Sequence, residues 1–167
     1  MSPLLRLCAR IDHINAWIGK ACGWLLLAAI LVSSGNALAR FAFNRSSNAW
    51  IELQGYLFGA AFLLACAYVL QRNEHIRIDL ISARLSPHWR ARLDTIGHAL
   101  FTLPFCVVMI VTGVPFFWRA LKDHETSTSV GGLLIWPAKL LVPLAFALLL
   151  AQILANLARS FASQDDA

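Results

Sequence analysis

Four stretches of this chain, at about 21–41, 50–70, 95–118 and 133–157, are apolar nearly throughout and keep their few charges at their ends. A helix needs about 20 such residues to cross the roughly 30 Å hydrocarbon layer of a bilayer. Each stretch meets that length, and together they take up more than half of the 167 residues, so no sizeable soluble domain fits beside them. The reading is an all-α, integral membrane four-helix protein, with 1–167 forming a single membrane domain. Composition agrees, since 59% of the residues are hydrophobic, only 14% are charged, and the mean hydropathy is +0.64. That is more apolar than an ordinary soluble domain.

The segments between the spans are short and patterned. Ahead of the first span, Leu4, Leu7, Ile11, Ile14 and Ile18 recur at three and four residues, the spacing of an amphipathic helix lying on the membrane surface. Asp12, His13 and Asn15 interrupt the continuous apolar run that a cleaved signal peptide requires, so the first span is expected to stay in the mature protein. The turn-like residues 44–48 join spans one and two as a tight hairpin. Between spans two and three, Ile78, Ile81, Leu85, Trp89 and Leu93 share one face while Arg77, Arg84 and Arg92 occupy the other. This predicts an interfacial helix at about 76–93, interrupted at Ser86-Pro87 because serine caps and proline starts a helix well. Pro104 and Pro143 each remove a backbone donor inside a span and predict kinks.

Of the 14 Lys and Arg residues, Arg6, Arg10, Lys20, Arg72, Arg77, Arg84, Arg90, Arg92 and Arg159 fall on one side of the spans. Arg40, Arg45, Arg119, Lys122 and Lys139 fall on the other. The richer side is expected to be cytoplasmic, which places both termini inside. The net charge of +5 thus reads as topology, and no nucleic-acid partner is expected, because the basic residues are scattered singly and form no patch interleaved with aromatics.

No span has an acid or a base at its middle, where an ion-coupled carrier or proton relay needs one. Glu52 opens span two, Arg40 and Lys139 lie near outer ends, and His98 lies near an inner end. Arg40 and Glu52 could pair across the outer hairpin or act as two independent interfacial charges. Gly55 and Gly59 form a small-x-x-x-small face on span two, suited to close helix packing either within the protein or against a partner. Trp50 and Tyr56 belong to the same region of contact. Arg72, His75, Arg77 and Asp79 read as a solvated basic turn at the headgroups. The four cysteines have no metal-ligand or disulfide-type spacing, three of them read as small core residues within spans, and no cofactor or metal is expected.

Three segments carry a family resemblance: Asn48-Ala-Trp50-Ile-Glu52-x-x-x-Tyr56-Leu-Phe58, then Tyr68-Val-Leu-x-Arg72-x-Glu-His75-Ile-Arg77-Ile-Asp79, and Gly131-Gly132-Leu-x-x-Trp136-Pro137-x-Lys139-x-x-x-Pro143-Leu. In this order the chain resembles the DctQ-like small permease subunits of TRAP (tripartite ATP-independent periplasmic) transporters over about residues 15–157. The resemblance implies a bacterial inner-membrane heterodimer with a large permease subunit that holds the mobile elevator and sodium sites. It also implies a periplasmic solute-binding protein and uptake of organic acids or related small anions, with this subunit as scaffold among membrane lipids. Two other readings compete. A haem- or quinone-binding redox anchor needs axial histidines inside the bundle, which only His98 approaches, and a self-sufficient exporter needs an embedded acid.

Overall fold

The computed structural model describes residues 3–72, 89, 93, 95–129 and 131–165, with the side chains of 161–165 set aside. Four long helices dominate: α1 (Pro3–Phe43), α2 (Asn48–Gln71), α3 (Leu103–Lys122) and α4 (Trp136–Asp165). A π-helical turn, His98–Thr102, runs directly into α3, so the third membrane-crossing stretch is Thr95–Lys122. All four are long and apolar enough to cross a bilayer. The interfacial helix expected at about 76–93 lies outside the described residues, except that Trp89 and Leu93 are helical.

No break separates the amphipathic tail from the first span. α1 is one helix of 41 residues, about 62 Å long at 1.5 Å per residue, or twice the hydrocarbon thickness. Its apolar stripe does not face the protein: Leu4, Leu7 and Ile14 are each at least half exposed. The buried line is Cys8, Asn15, Cys22 and Ala29, which repeats every seven residues and consists of small or polar side chains. In a bilayer this arrangement is the sensible one, because lipid is as apolar as leucine, and helices gain most from close backbone approach and satisfied polar groups.

Small residues set the helix contacts throughout. Gly19 lies beneath the Tyr68 ring, so a Cβ there would come within 2.3 Å of Tyr68 Cγ, and Gly35 lies against Trp50. These two contacts fix the register of the antiparallel α1–α2 hairpin. On the other side of the molecule Gly113 receives Pro143, whose Cδ would lie 3.2 Å from an added Cβ. Phe105 meets Phe146 edge-on at 5.4 Å between ring centroids.

α4 packs against all three other helices, while α3 rests chiefly on α4, giving the lateral order α1, α2, α4, α3. The core where α2, α3 and α4 meet is Leu70, Cys106 and Ile153. Accordingly 28% of the most apolar window of α4 is buried, against 11% for α1 and for the third stretch. Large side chains such as Phe41, Trp24 and Phe101 stay exposed. Moving one side chain of this size out of water contributes about 1.5–3 kcal/mol. Such a surface is stable only in lipid or against another apolar protein.

The π turn replaces a simple kink at Pro104. Proline at the second position of α3 has no N–H to donate, and the chain relaxes upstream so that the Leu103 N–H donates to the His98 carbonyl, five residues back. Pro143 is retained inside α4, where its ring fills the space above Gly113.

Candidate functional site

Two polar constructions stand out, one at each end of the helices. At the end away from the termini, Glu52 occupies the first turn of α2, directed at the loop joining α3 to α4. Its Oε1 accepts a hydrogen bond from the Ser127 hydroxyl, and its Oε2 accepts the Leu133 backbone N–H at 2.8 Å. The loop is shaped to present these donors. Ser127 N–H donates to Leu133 O at 2.9 Å, Ile135 N–H to Glu125 O at 2.9 Å, and Thr126 and Leu134 form an antiparallel bridge. Gly131 takes a φ of +74°, where a side chain is strained, and a Cβ at Gly132 would lie 2.6 Å from Ser127 Cβ.

Lys139 closes the base of the loop. It forms an ion pair with Glu125, and its ammonium sits 4.1 Å from the Phe116 ring centroid, a cation–π contact linking α4 to α3. Trp136 stacks obliquely near Phe117. Glu52 and the Gly131-Gly132-x-x-x-Trp136-Pro137-x-Lys139 segment, far apart in the chain, thus form one latch tying α2 to the α3–α4 loop. Tyr56 lines an apolar groove of about 600 Å3 beside the latch, with Leu57, Pro137 and Leu141.

Arg40 takes no part in the latch, and the pairing with Glu52 entertained from sequence does not form. The hairpin register explains this. With Gly35 against Trp50 and Gly19 against Tyr68, Arg40 falls opposite Ser46 and Glu52 opposite Ser34. Six residues, about 9 Å of helix, then separate the two charges along the axis. Gly55 and Gly59 have no atom within 4 Å of an added Cβ, so no helix among the described residues fills their face. Arg72 caps α2 with its guanidinium 6.0 Å from the Tyr68 ring centroid. His75, Arg77 and Asp79 lie outside the described residues.

The end at the termini holds a seam not singled out as a site from the sequence. Asn15 Nδ2 donates to Gln152 Oε1 at 2.7 Å, and Gln152 Nε2 donates to Asp12 Oδ1 at 2.8 Å and to Asn156 Oδ1 at 3.2 Å. Arg159 Nη2 reaches the same Asp12 oxygen at 2.7 Å. Cys8 Sγ points at the Ala155 carbonyl, 3.8 Å away. Asn15 and Gln152 are 1% and 0% exposed. The directions are forced: Asp12 accepts only, so Gln152 must offer it the amide nitrogen and turn its oxygen to Asn15. Asn15 in turn gives its nitrogen and keeps Oδ1 buried without a partner.

A signal for this seam was present. Cys8, Asp12 and Asn15 recur at four and three residues, as do Gln152, Asn156 and Arg159, so each trio lies on one helix face. Asp12 and Asn15 read only as interruptions of an apolar run, and Gln152, having no charge, did not register among candidate site residues. Cys8, Cys22 and Cys106 are buried thiols, while Cys66 is half-buried.

The spacing of charge along the helices fits the thickness of a bilayer. Glu52 to Arg72 and Lys139 to Arg159 are each 20 residues apart, about 30 Å of helix, matching the hydrocarbon layer. Glu52 and Lys139 lie together at the latch, Arg159 lies in the seam, and Arg72 caps the C-terminal end of α2. The family model for the DctQ component of tripartite ATP-independent periplasmic transporters matches residues 21–163. The chain belongs to the DctQ family. Comparison with curated proteins returned no match. In this DctQ protein the latch lies wholly within the matched segment, whereas the α1 half of the seam, Cys8, Asp12 and Asn15, precedes it. Of the motif residues of the DctQ resemblance that are described, Glu52, Trp136, Lys139 and Pro143 make contacts between separate helices or with the loop joining them. Among the described residues no group of three His, Cys, Asp or Glu side chains is placed to hold a metal ion.

Proposed function

We propose that this DctQ protein is the stationary membrane scaffold of its transporter, bound in the bacterial inner membrane to a large permease subunit that carries the moving ion and solute sites. A periplasmic solute-binding protein delivers the cargo, an organic acid or related small anion, and a sodium gradient drives uptake. Both termini face the cytoplasm, following the excess of Lys and Arg on that side.

The observation that carries this reading is the separation of charge from the membrane interior. The ionisable side chains Glu52, Lys139, Asp12 and Arg159 are committed to contacts at the two ends, and among the described residues of the spans no acid or base lies at mid-depth to bind a coupling ion. A protein so built supports transport by holding another protein. The open face at Gly55 and Gly59, flanked by the exposed Ile51 and Phe58, supports contact with a partner helix there.

The test is reconstitution. Uptake into proteoliposomes should require this chain, the large permease, the binding protein and a sodium gradient together. Gly55→Leu should weaken co-purification with the permease while leaving this chain folded. Uptake at an unchanged rate without this chain would overturn the scaffold role.

A further inference from the structure

A second apolar groove, of about 510 Å3, runs between α1 and α2 on a different face of α2 from the one meeting α4. Small residues form much of its lining, Cys22, Gly23, Ala61 and Ala65, and the exposed rings of Phe58 and Phe62 line it beside them. It extends along α2 from Phe58 to Val69, about 16 Å of helix, or half of the roughly 30 Å hydrocarbon layer. Among the described residues nothing fills it: an added Cβ at Gly23 meets no atom within 4 Å.

Lys20 lies in the same turn of α1 as Gly19 and Gly23, which line the groove, and is exposed. No acid among the described residues pairs with it. The hairpin register sets Lys20 opposite Cys66, six residues or about 9 Å short of Arg72, so its Cα lies within the hydrocarbon. A lysine at that depth extends its stem along apolar surface until the ammonium reaches the headgroups, where it needs an anion.

We propose that this groove seats one acyl chain of an anionic phospholipid from the leaflet at the termini side, with its phosphate held by Lys20. The groove's length is that of one leaflet, its lining includes no charged residue, and the unpaired cation stands at the headgroup end. This inference needs the membrane placement but not the transport role.

Native mass spectrometry of the full chain, purified with its permease and titrated with phosphatidylglycerol or phosphatidylcholine of equal chain length, tests it. The expected result is one tightly retained phosphatidylglycerol per chain, favoured about tenfold over phosphatidylcholine. Lys20→Gln should abolish the preference and leave the weaker binding. Gly23→Leu, which has room in the groove, should reduce retention of both lipids at least tenfold, and Ala65→Leu provides an independent block if the first variant is poorly folded. A photo-reactive residue replacing Phe62 should cross-link to lipid. Cross-linking to the permease instead, a preference unchanged in Lys20→Gln, or retention unchanged in both filled variants would overturn the proposal.

Discussion

Replacing Gln152 with leucine tests the seam most directly. Leucine removes the acceptor for Asn15 Nδ2 and one of the two side-chain donors to Asp12. Asn15 is 1% exposed and its Oδ1 already lacks a partner, so the variant leaves a whole amide buried without a hydrogen bond. Leaving a buried polar group unsatisfied costs about 1–3 kcal/mol. Hydrogen bonds between membrane helices average nearer about 0.6 kcal/mol and reach about 1.7 kcal/mol, because the unfolded chain in lipid also finds partners. The expected loss for Gln152→Leu is therefore about 1–2 kcal/mol. Asn15→Leu alone leaves Gln152 Oε1 unpaired and should cost a similar amount. The double variant puts two apolar groups face to face and removes the penalty of the orphaned amide, leaving only the loss of the Gln152 donor to Asp12, which Arg159 still holds. Denaturation of the four proteins in one detergent, followed by loss of helicity and by steric trapping, gives the double-mutant cycle. The seam requires the double variant to be more stable than at least one single variant, with a coupling of about 1 kcal/mol or more. Additive losses would refute the argument that these two side chains satisfy each other.

Three further outcomes follow from the same contacts. Glu52→Leu removes both acceptors at once and leaves the Leu133 N–H and the Ser127 hydroxyl without the carboxylate, so the loop should loosen. Limited proteolysis of the 123–135 loop reads this directly, and an unchanged cleavage rate would show that the latch is not needed to order the loop. Gly132→Ala should lower the melting temperature because the new methyl meets Ser127 Cβ at 2.6 Å, whereas Gly55→Ala, with nothing within 4 Å, should leave the isolated chain's melting unchanged. Equal effects would contradict the packing described for the loop. A reporter that matures only in the periplasm, fused after residue 167, should stay silent, and a strong signal would reverse the orientation taken from the Lys and Arg distribution.

The sequence by itself determined what must be near-local. Apolar length decides that a segment crosses the membrane, since every buried backbone group must then be satisfied within its own helix. The four spans were therefore legible, as was the commitment of charge to their ends. The resemblance carried by the Trp50, Glu52, Gly131 and Lys139 segments led to the same family as the match over residues 21–163. Hydropathy could not tell which polar residues meet, because that depends on helix register and lateral order. Arg40 and Glu52 looked adjacent from the hairpin alone, yet Gly19 under Tyr68 and Gly35 against Trp50 hold them about 9 Å apart along the axis. Glu52 instead meets Ser127, 75 residues away in the chain. Asn15 and Gln152, 137 residues apart, meet only because α4 lies beside α1 as well as α2 and α3. That lateral order is set by where glycine, alanine and cysteine let backbones approach. An average of hydropathy along the chain does not register such a property, and only the packed structure decides it.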